Sequence, residues 1–249
     1  MICFLTSRVD LPDMGILNPA NRLIDELRLR FPNPCRALHI CSDPDGWNKT
    51  DYYAAHTKKM FEDGGFIFER FFTLDSRNEN LATKLVWESN LLILAGGHVP
   101  TQNLFFNKIG LRSLLKDFDG IVIGMSAGSM NSADIVYSQP EEEGEAIDPE
   151  YQRFLTGLGL TKINLLPHYQ KNKDNVLDGL RIYEDIACSD SIGKTFYAIP
   201  DGSYLFINAG KEELRGEAYM VKDGVISKVS SRGDVLPVLN ILIYLSPPQ

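Results

Sequence analysis

Short apolar runs alternate along most of the chain with stretches in which apolar positions recur every three to four residues. Runs of the first kind suit strands buried on both faces, and stretches of the second kind suit helices with one buried side. The pattern predicts strands over residues 1–5, 36–41, 66–72, 91–95 and 120–124. Between them it predicts helices over 18–30, 51–63, 78–88 and 103–118. Strand and helix in alternation is the signature of an α/β fold with a mostly parallel sheet flanked by helices.

The rhythm changes after residue 128. A helix is expected over 127–134, then an acidic solvated loop over 141–145, a strand end at 165–167, a helix over 176–186 and a strand over 195–199. Residues 204–207, 218–221 and 225–229 read as strands, with Lys222-Asp223-Gly224 as a hairpin turn. The expected organisation is one domain over residues 1–249, with a core to about 207 and an antiparallel extension over about 208–249. The apolar stretch 235–245 either packs on its own sheet or covers a second copy of the chain, which leaves a homodimer open.

The chain has 249 residues, 44% hydrophobic and 23% charged, the usage of an ordinary globular protein with a rigid core. A net charge of −8 argues against nucleic acid and anionic membrane as partners. Four cysteines occur without a Cys-x-x-Cys pair, and Cys3 and Cys41 lie in apolar runs, so neither a disulfide framework nor a zinc site is expected. The N-terminus lacks the cationic and long apolar regions of a signal peptide, and no apolar run approaches the ~20 residues of a membrane helix. A cytoplasmic location is the resulting expectation.

Candidate chemistry centres on Gly124-Met125-Ser126-Ala127-Gly128, a G-x-S-x-G pattern that follows an apolar strand directly. In that setting a serine is held on a tight strand-to-helix turn and presented to substrate. A serine hydroxyl needs a general base, and histidine is suited to the task near neutral pH. His39 lies within an apolar strand and reads as core, and His56 sits beside Lys58 and Lys59 on a helix surface. His168 emerges at the end of an apolar run and is the candidate base, with His98 as fallback. Asp201, at another strand end, is the candidate orienting acid, with Asp134 and Asp148 as rivals. The N–H of Ala127 and an N–H of the Gly96-Gly97 turn are candidate oxyanion donors. No cofactor fingerprint or metal set is visible, and hydrolysis by such a triad requires neither.

Ala95-Gly96-Gly97, Gly124-Met125-Ser126-Ala127-Gly128, Leu166-Pro167-His168-Tyr169 and Ile199-Pro200-Asp201-Gly202 follow one another in the order and spacing of a known family. The chain resembles the S51 serine peptidases, the group of peptidase E (aspartyl dipeptidase) and cyanophycinase, over roughly residues 1–207. The resemblance implies a flavodoxin-like fold of the class I glutamine amidotransferase type. It further implies Ser126 as nucleophile, His168 as base, Gly97 and Ala127 as oxyanion donors, and an acid at position 201, where the family usually carries glutamate. A short peptide is the implied substrate, with Gly96, His98, Lys171 and Lys173 as candidate binding residues and Arg181 as a further cation nearby. An amide hydrolase of the cyanophycinase kind and a catalytically idle domain that binds a small ligand are the alternatives.

Overall fold

The computed structural model describes residues 1–12 and 14–238. Its strands are, in chain order, β1 (Ile2–Thr6), β2 (Arg36–Ile40), β3 (Arg70–Leu74), β4 (Leu91–Leu94), β5 (Ile121–Met125), β6 (Ile135–Tyr137), β7 (Phe154–Thr156) and β8 (Asn164–Leu166). They continue as β9 (Val176–Leu177), β10 (Leu180–Arg181), β11 (Thr195–Ala198), β12 (Tyr204–Asn208), β13 (Lys211–Arg215), β14 (Ala218–Lys222), β15 (Val225–Ser230) and β16 (Val235–Pro237). The main sheet has the order β16-β13-β12-β1-β5-β4-β2-β3. From β1 to β3 every pairing is parallel, whereas β12, β13 and β16 add antiparallel strands at the other side. A second sheet, β15-β14-β11-β8, is parallel only between β8 and β11.

Helices cover both faces of the main sheet. On one face α1 (Leu23–Arg30) and α2 (Trp47–Asp63) bury Leu23, Leu27, Met60 and Phe61 against Phe4, Ile93 and Ile123. On the other, α3 (Ala82–Trp87), α4 (Val99–Lys108) and α5 (Leu111–Leu114) join Leu165, Tyr197 and Met220 of the second sheet. Strand β4 is buried along its whole length, which explains its unbroken apolar sequence. Each of its leucines contributes roughly 1.5–3 kcal/mol by leaving water.

Local sequence explains where the elements depart from expectation. The third strand begins at Arg70, because Phe66 and Phe68 turn inward to pack on Phe31, with ring centroids 4.6 and 5.6 Å away. The helix expected over 176–186 is broken at Asp178-Gly179, whose positive φ angles of 53° and 81° make the turn between β9 and β10. A π-helix, Ile182–Ala187, follows. The helix expected over 127–134 is a single turn, α6 (Ala127–Met130). The pair β6 and β7 lies where no strand was expected. The Asp223-Gly224 turn joins β14 to β15, both residues at positive φ as such a two-residue hairpin requires. The described part of the C-terminal extension divides, β13 and β16 entering the main sheet and β14 and β15 the second, while residues 239–249 lie outside the described residues.

One core position carries a pH-dependent cost. His39 on β2 is 1% exposed, and burial pushes its imidazole pKa down to about 4 from the ordinary 6.5. A native pKa below the unfolded one means that stability is complete above pH 6.5 and falls as the pH drops toward 4. The loss by pH 4 is about 3 kcal/mol at ~1.4 kcal/mol per unit. Urea unfolding of wild type and His39→Phe at pH 7 and pH 4 is therefore expected to show a smaller acid loss in the variant, by about this amount. Equal acid losses would contradict it.

Candidate active site

The parallel strands all end on one edge, and ligands of such sheets sit outside the carboxyl ends. Ser126 follows β5 there, with φ 49° and ψ −113°, a backbone conformation that a side-chain-bearing residue adopts only under constraint. The constraint is visible: the Ser126 N–H donates to the Thr6 carbonyl at 3.1 Å. The flanking glycines are needed for packing. A Cβ on Gly128 would stand 2.4 Å from the Leu94 carbonyl oxygen, and one on Gly124 would stand 2.9 Å from the Ser129 nitrogen. The short helix α6 can therefore press onto β4 and β5 only with glycine at both places, and this pressing shapes the serine turn.

His168 follows β8, and its own backbone is left-handed at φ 60°, ψ 31°. Its ring bridges two side chains: Nε2 lies 2.9 Å from Ser126 Oγ and Nδ1 lies 2.7 Å from Asp201 Oδ1. Asp201 lies in the connection from β11 to β12, with its side chain 8% exposed. Burial pushes its carboxyl pKa up, but the hydrogen bond and charge of His168 and the hydroxyl of Ser7 outweigh this and bring it down to about 2. The stability linked to this ionisation is thus complete above about pH 4 and is lost as the pH falls toward 2. Because an ionised carboxylate only accepts, the network assigns the imidazole proton to Nδ1 and leaves the Nε2 lone pair facing Ser126 Oγ.

Ser7, which the sequence reading passed over, is a fourth member of this cluster. It is fully buried at the end of β1, donates to Asp201 Oδ1 at 2.8 Å and accepts the His168 backbone N–H at 2.9 Å. One hydroxyl thereby fixes both the carboxylate and the unusual backbone of His168. A polar residue at the carboxyl end of a central parallel strand was the available signal. Gln170 also contributes, its Oε1 accepting the Asp201 backbone N–H at 2.9 Å.

The remaining candidates fall in different places. Gly96, Gly97, His98, Ser126 and His168 line one cavity of about 780 Å³. Gly97 has φ 156°, and a Cβ there would lie 2.3 Å from Ser42 Oγ. His98 is engaged on both ring nitrogens, by Thr101 Oγ1 and by Glu145 Oε1, each at 2.8 Å. Lys171 reaches Asp201 Oδ2 at 3.7 Å, while Lys173 pairs with Asp174 and Arg181 with Asp185, and none of the three lines the cavity. Asp134 pairs with Arg112, and Asp148 accepts the Glu150 N–H in an exposed turn. His56 is exposed and stacks on Tyr52.

Among the described residues, one set brings three ligand-type atoms within 4.8 Å of one another: His98, Glu142 and Glu145. Glu145 is already committed, one oxygen to His98 and the other to the N–H groups of Glu141 and Glu142. Glu145 thereby ties the acidic loop to His98, the residue after the Gly96-Gly97 turn. No helix among the described residues is long and apolar enough to cross a membrane.

Comparison with known proteins gives the family and the fold. The model of peptidase family S51 matches residues 37–215. No curated protein sequence matches the chain. The crystal structure of a candidate peptidase E from Listeria monocytogenes EGD-e superimposes with a TM-score of 0.58 at 16% identity, covering 92% of this chain and 98% of that one. At that identity the likeness concerns the fold.

Proposed function

Given that the chain belongs to peptidase family S51, we propose that it is a serine peptidase that hydrolyses short peptides, with Ser126 as nucleophile, His168 as general base and Asp201 as orienting acid. The observation that carries this reading is the unbroken hydrogen-bond chain from Asp201 through His168 to Ser126, at 2.7 and 2.9 Å. Ser126 Oγ attacks the peptide carbonyl carbon while Nε2 takes its proton, and the oxyanion is received by the N–H groups of Gly97 and Ala127. The imidazolium returns the proton to the leaving amine as the C–N bond breaks. Water, deprotonated by the same nitrogen, then adds to the acyl carbon, and as the bond to Oγ breaks the imidazolium returns its proton to Ser126 and the carboxylic acid product leaves. Asp201, with its carboxyl pKa brought down to about 2, is ionised near neutral pH and stabilises the imidazolium in between. A cavity of about 780 Å³, bordered by the tethered 141–145 loop, has the size of a small-ligand site and suits a short peptide.

Incubation with a fluorophosphonate probe is expected to label the protein stoichiometrically, with the adduct on Ser126 by peptide mass spectrometry. Protein that stays unlabelled at high probe concentration would favour the idle binding domain. A panel of dipeptides varied at the first residue reads activity directly. Ser7→Ala is expected to lower kcat/KM on the best member about tenfold, equivalent to ~1.4 kcal/mol, since it removes a donor to Asp201 and the acceptor of the His168 N–H. An unchanged rate would show that Ser7 only packs.

A further inference from the structure

His39 poses a question that packing alone leaves unanswered. It is 1% exposed, yet neither ring nitrogen has a hydrogen-bond partner among the described residues. An unmet buried polar group is costly, so a ring placed only to fill space would be replaced to advantage by phenylalanine or leucine. His39 also belongs to the lining of the cavity that holds Ser126, Gly97 and His168. Both ring nitrogens are sealed from solvent, in the wall of the space in which the proposed chemistry takes place.

Topology says which part of a substrate reaches it. In the order β12-β1-β5-β4-β2, Ser126 extends from the middle strand β5. Ser7 and Asp201, with the His168 ring between Ser126 and Asp201, lie toward β1 and β12. Gly97 and His39 lie on the other side, toward β4 and β2, His39 being in register with Ile93. His168 must protonate the leaving amine, so the leaving group occupies the β1 side. The side chain of the acyl residue then extends over Gly97 toward β2 and α2.

The lining of that space is graded. Its charged members Asp43, Lys49 and Glu142 are exposed at the rim, and the half-buried Arg8 and Asp10 bond each other. The buried lining, including Cys41, Thr57 and Met60 beside His39, carries no formal charge. Burial holds the His39 imidazole neutral at pH 7, with one nitrogen donating and the other accepting.

Resting on the peptidase reading, we propose that His39 is a specificity residue at the floor of the pocket for the acyl residue, and that it selects an uncharged side chain with a hydrogen-bonding tip, tyrosine or glutamine. A hydroxyl or carboxamide satisfies the imidazole, whereas an apolar isostere leaves it unpaired and a carboxylate enters a pocket without a charge partner in its buried wall.

The test is binding to the Ser126→Ala protein, measured by calorimetry at pH 7 with Tyr-Leu-amide against Phe-Leu-amide and Gln-Leu-amide against Met-Leu-amide. The polar member of each pair is expected to bind about tenfold more tightly. The preference is expected to vanish in Ser126→Ala/His39→Phe and to persist in part in Ser126→Ala/His39→Gln, which keeps a donor and an acceptor. Circular dichroism and the urea midpoint of each variant check folding. Equal affinities within the pairs, a preference that survives His39→Phe, or no binding by any member would overturn the proposal. Because binding is read without turnover, a polar-tip preference in a protein that no fluorophosphonate labels would defeat the peptidase reading and leave the pocket assignment standing.

Discussion

Replacing Asp201 by asparagine is expected to lower kcat/KM on the best dipeptide by about 10⁴-fold, the loss seen when a triad carboxylate is neutralised without a change of shape. The reason lies in the proton on Nδ1. Asp201 Oδ1 is 2.7 Å from that nitrogen and ionises at about 2, so it demands a donor there and fixes the Nε2 lone pair toward Ser126. An asparagine can offer its own N–H to Nδ1, which favours the tautomer in which Nε2 carries the proton and has no lone pair to receive the serine hydrogen. It also removes the negative charge that stabilises the imidazolium in both steps. Asp201→Glu, which keeps the charge, is expected to retain more activity than Asp201→Asn. The decisive measurements are steady-state kinetics and the rate of fluorophosphonate labelling, with circular dichroism as the check on folding. A loss below tenfold would mean that another group orients His168.

Gly97→Ala is expected to cost roughly 10²–10³-fold, mainly in kcat, the scale of a lost oxyanion donor. The new Cβ would lie 2.3 Å from Ser42 Oγ and 2.5 Å from Ser42 Cβ, at a φ of 156° that alanine accepts poorly. Rotating the Ser42 hydroxyl relieves only the first contact, so the turn itself must move, and its N–H moves with it. If the Ser42 contacts are the cause, Gly97→Ala/Ser42→Gly should recover part of the activity. If Gly97→Ala matched wild type, the second oxyanion donor would have to be sought elsewhere.

The α/β architecture was legible because its strands are buried on both faces: 91–95 and 120–124 have no polar face to hide, and the structure places β4 and β5 there. The serine turn was legible for a related reason, since both glycines of its motif answer to backbone contacts that any such turn must make. What escaped was set by tertiary contact. The periodicity of 176–186 gives no warning that Asp178 and Gly179 adopt positive φ, or that the segment ends as a π-helix. The strands β6 and β7 are too short to show alternation. Ser7 resembles any strand-end serine in sequence, and its role exists only because residues 168 and 201 arrive from far along the chain. The cations after His168 looked available by number, yet Lys171 reaches Asp201, Lys173 and Arg181 pair with Asp174 and Asp185, and none of the three lines the cavity.

Each member of the hydrogen-bonded trio comes from a different part of the architecture: Ser126 from the main sheet, His168 from the end of the second, and Asp201 from the segment that passes between them. The second sheet sets His168 beside Asp201, because β8 and β11 pair in parallel and end at the same edge, but Ser126 meets them only when the main sheet packs alongside. The trio can therefore form only in a chain that has folded through residue 201, 75 residues beyond the serine turn at 126. On the proposed reading, fluorophosphonate labelling would count only molecules whose two sheets have already met.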